Sequence, residues 1–191
     1  MKEHYICYDL ESCGLNPLVD QITCICARSS DGERFIDHAE DESDEGRLIH
    51  HFIEWLITHN SYKTLLTFNG IDFDNQFLAI RAGITGNEND FMDLIETMRN
   101  RVQTDLCQLT YPKISLNNMA MLYGEKKMYI SGKIAITMFK NAVKEREQGR
   151  VKESDNLFRQ LEEYCMSDVV LTEKLYLKMR DIIGGIKDAK D

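Results

Sequence analysis

Asp9 and Glu11 are two carboxylates that interrupt an otherwise apolar segment, YICYDLESCG, at residues 5–14. Residues two apart in a strand point to the same face, so these two side chains would lie next to each other. A buried, unpaired carboxylate costs several kcal/mol, and the pair therefore needs either solvent or a compensating charge. A strand end that emerges into solvent would explain an isolated pair, so the other acids of the chain matter.

A second acidic pair, Asp72 and Asp74, lies in TFNGIDFDNQFL at residues 67–78. The segment begins as the end of a buried strand and continues as a helix. Capping of that helix would account for both acids, because Asp accepts backbone N–H groups at helix N-termini. The chemistry of α/β proteins also collects at the carboxyl ends of strands, so a functional role stays open.

Tyr164 and Asp168 form the third candidate, in EYCMSDVVLTEKLY at residues 163–176. Their four-residue spacing places both side chains on one face of a helix, where a structural hydrogen-bonded pair is the alternative. Acids that meet near the ends of three predicted strands and helices nevertheless need a cation to offset their mutual repulsion. Carboxylate oxygen ligands favour Mg²⁺ or Mn²⁺ over zinc. Two such ions ~3.5–4 Å apart stabilise the attacking and leaving oxygens of a phosphoryl displacement.

Three motifs, DLE (9–11), NGIDFD (69–74) and YCMSD (164–168), resemble in order and spacing the exonuclease motifs of the DEDD superfamily. Its members are DnaQ-like 3′–5′ exonucleases with a ribonuclease H-like fold, also found as proofreading domains of DNA polymerases. SLNNMAMLYG (115–124) resembles the segment between the second and third motifs, and VVLTEKLY (169–176) the continuation after the third. The resemblance implies an α/β fold of three layers, a central mixed sheet flanked by helices.

The resemblance also implies roles for the site residues. Asp9, Glu11 and Asp168 would hold one metal ion, while Asp9 would bridge to a second ion that Asp74 reaches through water. Tyr164 would orient the attacking water, since a phenol with a pKa of ~10 is a poor base at neutral pH. The expected reaction is hydrolysis of the 3′-terminal phosphodiester of single-stranded DNA or RNA, with release of 5′-mononucleotides.

Tyr164 also assigns the chain to one branch of the superfamily. The tyrosine branch has a Tyr four positions before the last Asp, whereas the other branch has a His five positions before it. Here that position is Glu163, and no His follows His59. The string NGxxFD selects Asp74, which follows Phe73, over Asp72 as the acid of the second motif. Asp72 then becomes a capping residue.

Candidate substrate contacts follow from the same resemblance. Leu15 would pack on the terminal base, and Asn69 would contact the terminal sugar or phosphate. Phe73 would act as a wedge, with a core position as the equal alternative. The last candidates are lysines in a basic stretch, residues 125–152, that carries eight bases and three acids. Lys126, Lys127 and Lys133 are expected to guide the nucleic-acid strand by electrostatic contacts with its phosphate backbone.

The elements that must position these residues follow from hydrophobic periodicity and turn residues. Strands are predicted at 3–10, 21–28, 32–37 and 63–68, and a further short strand at 91–95 is predicted to run into a helix with Glu96, Met98 and Arg99. Helices are predicted at 44–59, 73–82, 116–124, 132–148 and 154–183, with Ser115 and Ser131 before two of them and Gly184–Gly185 ending the last. At 191 residues and 43% hydrophobic, the chain fits one 3′–5′ exonuclease domain, residues 1–191.

Bulk properties exclude several classes of protein. The net charge of −9 argues against a broad, non-specific nucleic-acid binder. No apolar run approaches the ~20 residues of a membrane span, and no signal peptide is recognisable, so we expect a cytoplasmic protein. The six cysteines are expected to be reduced and buried. Cys24 and Cys26 would share a strand face, but no second Cys/His pair completes a zinc finger.

Two alternative functions stay open. A ribonuclease H-like endonuclease or other phosphodiesterase would use the same acids, and a non-catalytic nucleic-acid-binding scaffold would keep the fold alone. The first motif also departs from the commonest family form, because Ser12–Cys13 stands where a Thr pair usually follows the Glu. The sequence does not separate DNA from RNA as substrate.

Overall fold

The computed structural model describes residues 4–128 and 132–188, with side chains as far as residue 180. Five strands form one sheet: β1 (Tyr5–Ser12), β2 (Ile22–Ser29), β3 (Arg34–His38), β4 (Thr64–Thr67) and β5 (Val102–Asp105). The helices are α1 (Glu45–Thr58), α2 (Asp74–Thr85), α3 (Asp90–Arg99), α4 (Leu116–Leu122), α5 (Lys133–Glu147) and α6 (Val151–Asp188), with a 3₁₀ turn at Leu106–Leu109.

The sheet is mixed, in the order β3-β2-β1-β4-β5, and β1 is its middle strand. The first three strands form an antiparallel meander, while β4 and β5 run parallel to β1. Parallel strands end at one edge of a sheet, so the carboxyl ends of β1, β4 and β5 meet there. That edge carries Asp9 and Glu11.

Helices cover both faces of the sheet, which confirms the predicted three-layer α/β fold. On one face Tyr8 of β1 packs against Phe52 of α1, with ring centres 5.5 Å apart. On the other face Cys7 donates its thiol hydrogen to the carbonyl of Val169 in α6, at 3.4 Å. Alternate residues of β1 therefore serve two cores, and the odd-numbered face is the one that meets α6.

The predicted strand at 91–95 is wrong, because these residues lie in α3. The buried positions of α3 are Asp90, Leu94 and Thr97, which recur at helical spacing. The strand in this region is β5, which was not anticipated. Its residues Val-Gln-Thr-Asp carry little apolar signal, and its hydrogen bonds go to the distant β4.

Helix α6 is longer than predicted, since it begins at Val151 and continues through Gly184–Gly185 to Asp188. A glycine in a helix costs about 1 kcal/mol relative to Ala, which weakens a helix without ending it. Ser115 caps α4 as expected, where its hydroxyl accepts the N–H of Asn118 at 3.2 Å. Ser131 lies outside the described residues. Within the described part of the chain, no helix is both long and apolar enough to cross a bilayer.

Candidate active site

Asp9 and Glu11 lie side by side near the end of β1, and both are partly exposed. In the antiparallel register, Asp9 is opposite Cys26 of β2 and Glu11 is opposite Cys24. Residues directly opposite each other share a face of the sheet. The face that meets α6 therefore carries two carboxylates next to two thiols.

Asp74 is the first residue of α2 and is buried. Its Oδ1 accepts the backbone N–H of Leu10 at 3.2 Å, which fixes this carboxylate beside the peptide between Asp9 and Glu11. Asp72 is exposed instead, and it binds Lys113 and the side-chain amide of Gln108. The structure thus brings Asp74 to the other acids and turns Asp72 away from them.

Tyr164 and Asp168 reach the same place from α6, on successive turns of one helix face. The Asp168 side chain is 7% exposed and forms an ion pair with Lys127, whose Nζ lies 2.5 Å away. The same Nζ lies 5.4 Å from the centre of the Tyr164 ring. Asp168 Oδ1 is buried and has no hydrogen-bond partner among the described residues. That oxygen is therefore available as a ligand for a cation.

Cys165, between these two residues, contacts Asp9 directly. Its Sγ lies 3.4 Å from the Asp9 carbonyl oxygen and 3.8 Å from Asp9 Oδ2. One ligand atom each from Asp9, Glu11 and Cys165 lie within 4.8 Å of one another. These residues come from opposite ends of the described chain, and the fold joins them.

Burial of the acids raises their carboxyl pKa values. Burial is the main cause for Asp9, Glu11 and Asp168, whose carboxyl pKa values are all raised. Burial also raises the pKa of Asp74, to about 7. For Asp168, the positive charge of Lys127 opposes the increase. A nearby cation would stabilise the charged form of these buried carboxylates.

The Tyr164 side chain is 1% exposed. Its phenol pKa is raised above the ordinary value of 10, first by burial and then by the charges of Glu11, Asp168 and Asp9. The phenol is therefore neutral at physiological pH. A neutral phenol can hold a hydrogen bond, but it cannot serve as a base.

The donor set fits hard divalent cations. Four carboxylates from β1, α2 and α6 provide oxygen ligands, and one of their oxygens is buried without a partner in the part of the chain that the structure describes. Mg²⁺ and Mn²⁺ prefer such oxygen ligands, whereas the neighbouring thiol of Cys165 suits softer ions. The residues present are thus suited to hold Mg²⁺ or Mn²⁺.

The candidate substrate residues lie at different distances from this centre. Leu15 is 84% exposed in the loop after β1. Lys126 and Lys133 are exposed as well. Asn69 adopts a positive φ of 65° in the loop before α2. Phe73 is partly buried, with its ring centre 5.2 Å from that of Phe77, so it belongs at least in part to the core.

Lys127 occupies a place that the sequence did not indicate. It was expected to guide a strand across the surface, yet its side chain is 13% exposed and is bound to Asp168. Asp93 lies in the first turn of α3 and lines a separate cleft with Asn60 and Lys63.

Asp105, at the end of β5, is a positioning residue that sequence reasoning missed. Its Oδ1 accepts the N–H of Asn69 at 2.7 Å and of Cys107 at 2.9 Å, and its Oδ2 accepts the N–H of Ile71 at 2.9 Å. It thereby fixes the loop that delivers Asp74. An Asp directly after a strand-like VQT was the available signal. Cys165 was also missed, although it adjoins Tyr164.

A groove of about 460 Å³ lies beside α6 and the edge strand β3. Its walls include Ile36 of β3 and Met166 and Val170 of α6, and its polar groups include Lys126 and Ser167. Ser167 directly precedes Asp168 on α6, and Glu162 and Glu163 also line the groove. Its lining therefore combines apolar, positively charged and negatively charged side chains.

Comparisons with known proteins agree with this architecture. A family model, RNase_H_2 of the RNase_H superfamily, matches residues 6–180. No curated protein matches the chain. A family B DNA polymerase from the hyperthermophilic archaeon Pyrobaculum calidifontis has a similar structure, with a TM-score of 0.70 and 18% identity over 93% of this chain.

A second similar structure is the zinc-bound E. coli ExoI–ssDNA complex, with a TM-score of 0.51 and 14% identity over 95% of this chain. At these identities the likeness concerns the fold. The chain corresponds to 24% of the polymerase and 42% of ExoI.

Proposed function

The chain belongs to the RNase_H_2 family of the RNase_H superfamily, and we propose that it is a metal-dependent 3′–5′ exonuclease for single-stranded nucleic acid. One observation carries the proposal. Acids that are far apart in sequence converge on the edge of the sheet where β1 ends, and there Asp168 Oδ1 is buried without a partner among the described residues. A purely structural cluster would satisfy such an atom.

Each residue then has a chemical task. When bound, two Mg²⁺ or Mn²⁺ ions would lower the pKa of a water molecule and offset the charge of the phosphate. Asp9, Glu11 and Asp168 are the residues to hold one ion, and Asp9 and Asp74 those to hold the other. The neutral Tyr164 phenol orients the attacking water by a hydrogen bond. The raised carboxyl pKa values require these acids to release protons on metal binding.

Single-stranded nucleic acid is the substrate that the surroundings favour. The groove beside α6 carries Lys126 for the backbone and apolar side chains such as Met166 for bases. The structurally similar E. coli ExoI was solved with ssDNA, which makes ssDNA the first substrate to test. The 3′–5′ direction rests on the resemblance of the three motifs.

The decisive experiment uses DNA and RNA strands labelled at either end, incubated with Mn²⁺. We expect 5′-labelled strands to shorten progressively, and 3′-labelled strands to release labelled mononucleotide at once. EDTA should stop the reaction. Internal cuts that release oligonucleotides would identify an endonuclease, and binding without cleavage would identify a scaffold.

Two alanine variants localise the chemistry. Asp9→Ala should reduce the rate by more than about 100-fold, because loss of a metal ligand costs more than loss of a residue that only supports one. Asp72→Ala is the matched control, since Asp72 is an exposed acid that faces away from the site. Equal rates in the two variants would refute the proposed site.

A further inference from the structure

Three buried thiols form a cluster beside the carboxylates. Cys24 and Cys26 come from β2 and Cys165 from α6, and each residue is 0% exposed. Their sulfur atoms all lie within 4.8 Å of one another, and those of Cys24 and Cys26 are 3.9 Å apart. None of these thiols has a task in the proposed hydrolysis.

The fold explains why the three sulfurs converge. Cys24 and Cys26 are two apart on β2, so both point to the face that α6 covers. Cys165 lies on the side of α6 that packs against this face, and Cys26 also contacts the Glu162 carbonyl of α6 at 3.6 Å. Ordinary core packing would need only small apolar groups here. Three thiols at one point add a capacity to bind soft metal ions.

The distances match a metal site. A tetrahedral ion with Zn–S bonds of ~2.3 Å holds its sulfur atoms roughly 3.8 Å apart. The observed 3.9 Å between Cys24 and Cys26 is close to that value, and the limit of 4.8 Å brings Cys165 within a small movement of it. We propose that Cys24, Cys26 and Cys165 bind a thiophilic divalent cation of the Zn²⁺ and Cd²⁺ class.

The thiol site and the carboxylate site differ in the ions they select. Soft thiolates favour Zn²⁺ and Cd²⁺, whereas carboxylates favour Mg²⁺ and Mn²⁺. The two sites nevertheless meet at Cys165, whose Sγ is 3.8 Å from Asp9 Oδ2. Loading draws Cys165 towards β2 and alters the support of Asp9.

This contact makes the thiol site inhibitory, a consequence that rests on the proposed function. A cation on the three sulfurs would disturb Asp9, one of the residues that would hold the hard ions in the proposed function. We therefore expect Cd²⁺ to lower Mg²⁺-supported hydrolysis in the concentration range that fills the thiol site. The metal binding itself does not depend on hydrolysis.

Binding is tested with Cd²⁺ alone, added to the full chain after treatment with EDTA and a thiol reductant. Thiolate-to-Cd²⁺ charge transfer gives an ultraviolet band that carboxylate ligands do not produce. We expect the band to saturate at one Cd²⁺ per chain. Absence of the band in the wild-type protein would overturn the proposal, and this readout requires no variant.

Cysteine variants identify the thiols that bind Cd²⁺. Cys24→Ala and Cys26→Ala should each weaken Cd²⁺ binding by about tenfold or more. Cys107→Ala is the matched control, because Cys107 is also buried but contacts Ile114 away from the cluster. Thermal denaturation without metal checks that each variant folds. Equal Cd²⁺ affinity in the folded variants and the control would contradict the site.

Hydrolysis is then measured with Mg²⁺ at increasing Cd²⁺, each variant relative to its own rate without Cd²⁺. Cys26→Ala should need more Cd²⁺ for half-inhibition than Cys107→Ala. The same Cd²⁺ requirement in both would place the inhibition at the carboxylates and refute the coupling. A thiolate band in a protein without nuclease activity would refute the proposed function and leave the thiol site standing.

Discussion

Lys127 brings a positive charge to the carboxylates. Its Nζ contacts Asp168, and both side chains are largely withdrawn from solvent. A buried ion pair of this kind is costly to break by removing one partner, because the remaining charge stays buried. In the chain without metal, Lys127 thus offsets part of the repulsion that a divalent ion would otherwise offset.

Replacement of Lys127 by Met separates the effect of this lysine on stability without metal from its effect on Mn²⁺ binding. Lys127→Met should lower the stability of the metal-free protein by about 3 kcal/mol, because Asp168 loses its buried partner. It should also tighten Mn²⁺ binding by on the order of tenfold, since a competing cation is gone. Chemical denaturation in EDTA measures the first effect, and Mn²⁺ titration measures the second. Lys126→Met, at an exposed neighbouring position, is the control. Weaker Mn²⁺ binding in Lys127→Met would show that Lys127 supports the metal site.

Tyr164 is expected to orient the attacking water without exchanging a proton. Tyr164→Phe should therefore keep measurable activity, with kcat reduced by less than the ~10²–10⁴-fold that a proton-transfer residue contributes. The pH profile of kcat should keep its shape, because the neutral phenol does not titrate near pH 7. A profile that changes its slope in the variant would assign Tyr164 a proton-transfer role.

At the scale of elements, β5 and the loop before α2 act together. Asp105 accepts N–H groups at both ends of the Asn69–Ile71 segment, and the fixed loop delivers Asp74 to Leu10. Hydrogen bonds to a charged group contribute ~1.5–3 kcal/mol each, and buried donors are costly to leave unpaired. A strand outside the three sequence motifs therefore determines where the Asp74 carboxylate of the candidate site lies.

Asp105→Ala tests this link. We expect a loss of about 2–4 kcal/mol of stability, because one buried and two partly buried N–H groups lose their acceptor. The Mn²⁺ affinity should fall too, since Asp74 is no longer held beside Asp9. Asp72→Ala, an exposed ion-pair residue in the same loop, should cost less than about 1 kcal/mol. Denaturation curves and Mn²⁺ titrations of the two variants provide the comparison, which fails if both behave alike.

The sequence predicts the parts of the fold that carry strong local patterns. Strands β1, β2 and β4 and helices α1, α4 and α5 were all expected near their observed bounds. Strand β5 was not expected, and helix α3 was expected only in its second half, because FMDLI is apolar enough for either structure and VQTD gains its pairing from β4. Short segments of this kind are decided by distant partners.

The residues of the candidate site also fall into two groups, those that a local sequence pattern predicts and those that depend on distant contacts. The acids and Tyr164 belong to local motifs, and the structure brings them together. Lys127, Asp105 and Cys165 act through contacts with residues far away in the sequence. The Lys127–Asp168 ion pair, for example, depends on where the segment after α4 crosses α6. No local pattern encodes such a crossing, so only the folded chain reveals it.

For the whole molecule, the buried acids couple stability to pH. The carboxyl pKa values of Asp9, Glu11, Asp74 and Asp168 are raised, so the metal-free folded state holds protons that the unfolded state releases. For Asp74, the contribution is full below the unfolded pKa of ~4 and is lost as pH rises through about 7. Stability in EDTA should therefore fall between these pH values.

Thermal denaturation at several pH values checks this expectation. In EDTA, Tm should decrease as the pH rises from about 5 to about 8. Mn²⁺ should raise Tm more at the higher pH, because it binds the deprotonated carboxylates. Asp74→Asn should flatten the pH dependence in EDTA. An equal Mn²⁺ effect at all pH values would contradict proton-linked binding.

The contact between Asp9 and Cys165 spans 156 residues of the chain. During translation, β1 leaves the ribosome long before α6 has been made, so the nascent chain holds only part of the site. Long-range contacts of this kind also form late in folding, because a long loop must close first. The proposed hydrolytic activity would therefore arise only when α6 docks, and the unfinished polypeptide would be inactive while it is being synthesised.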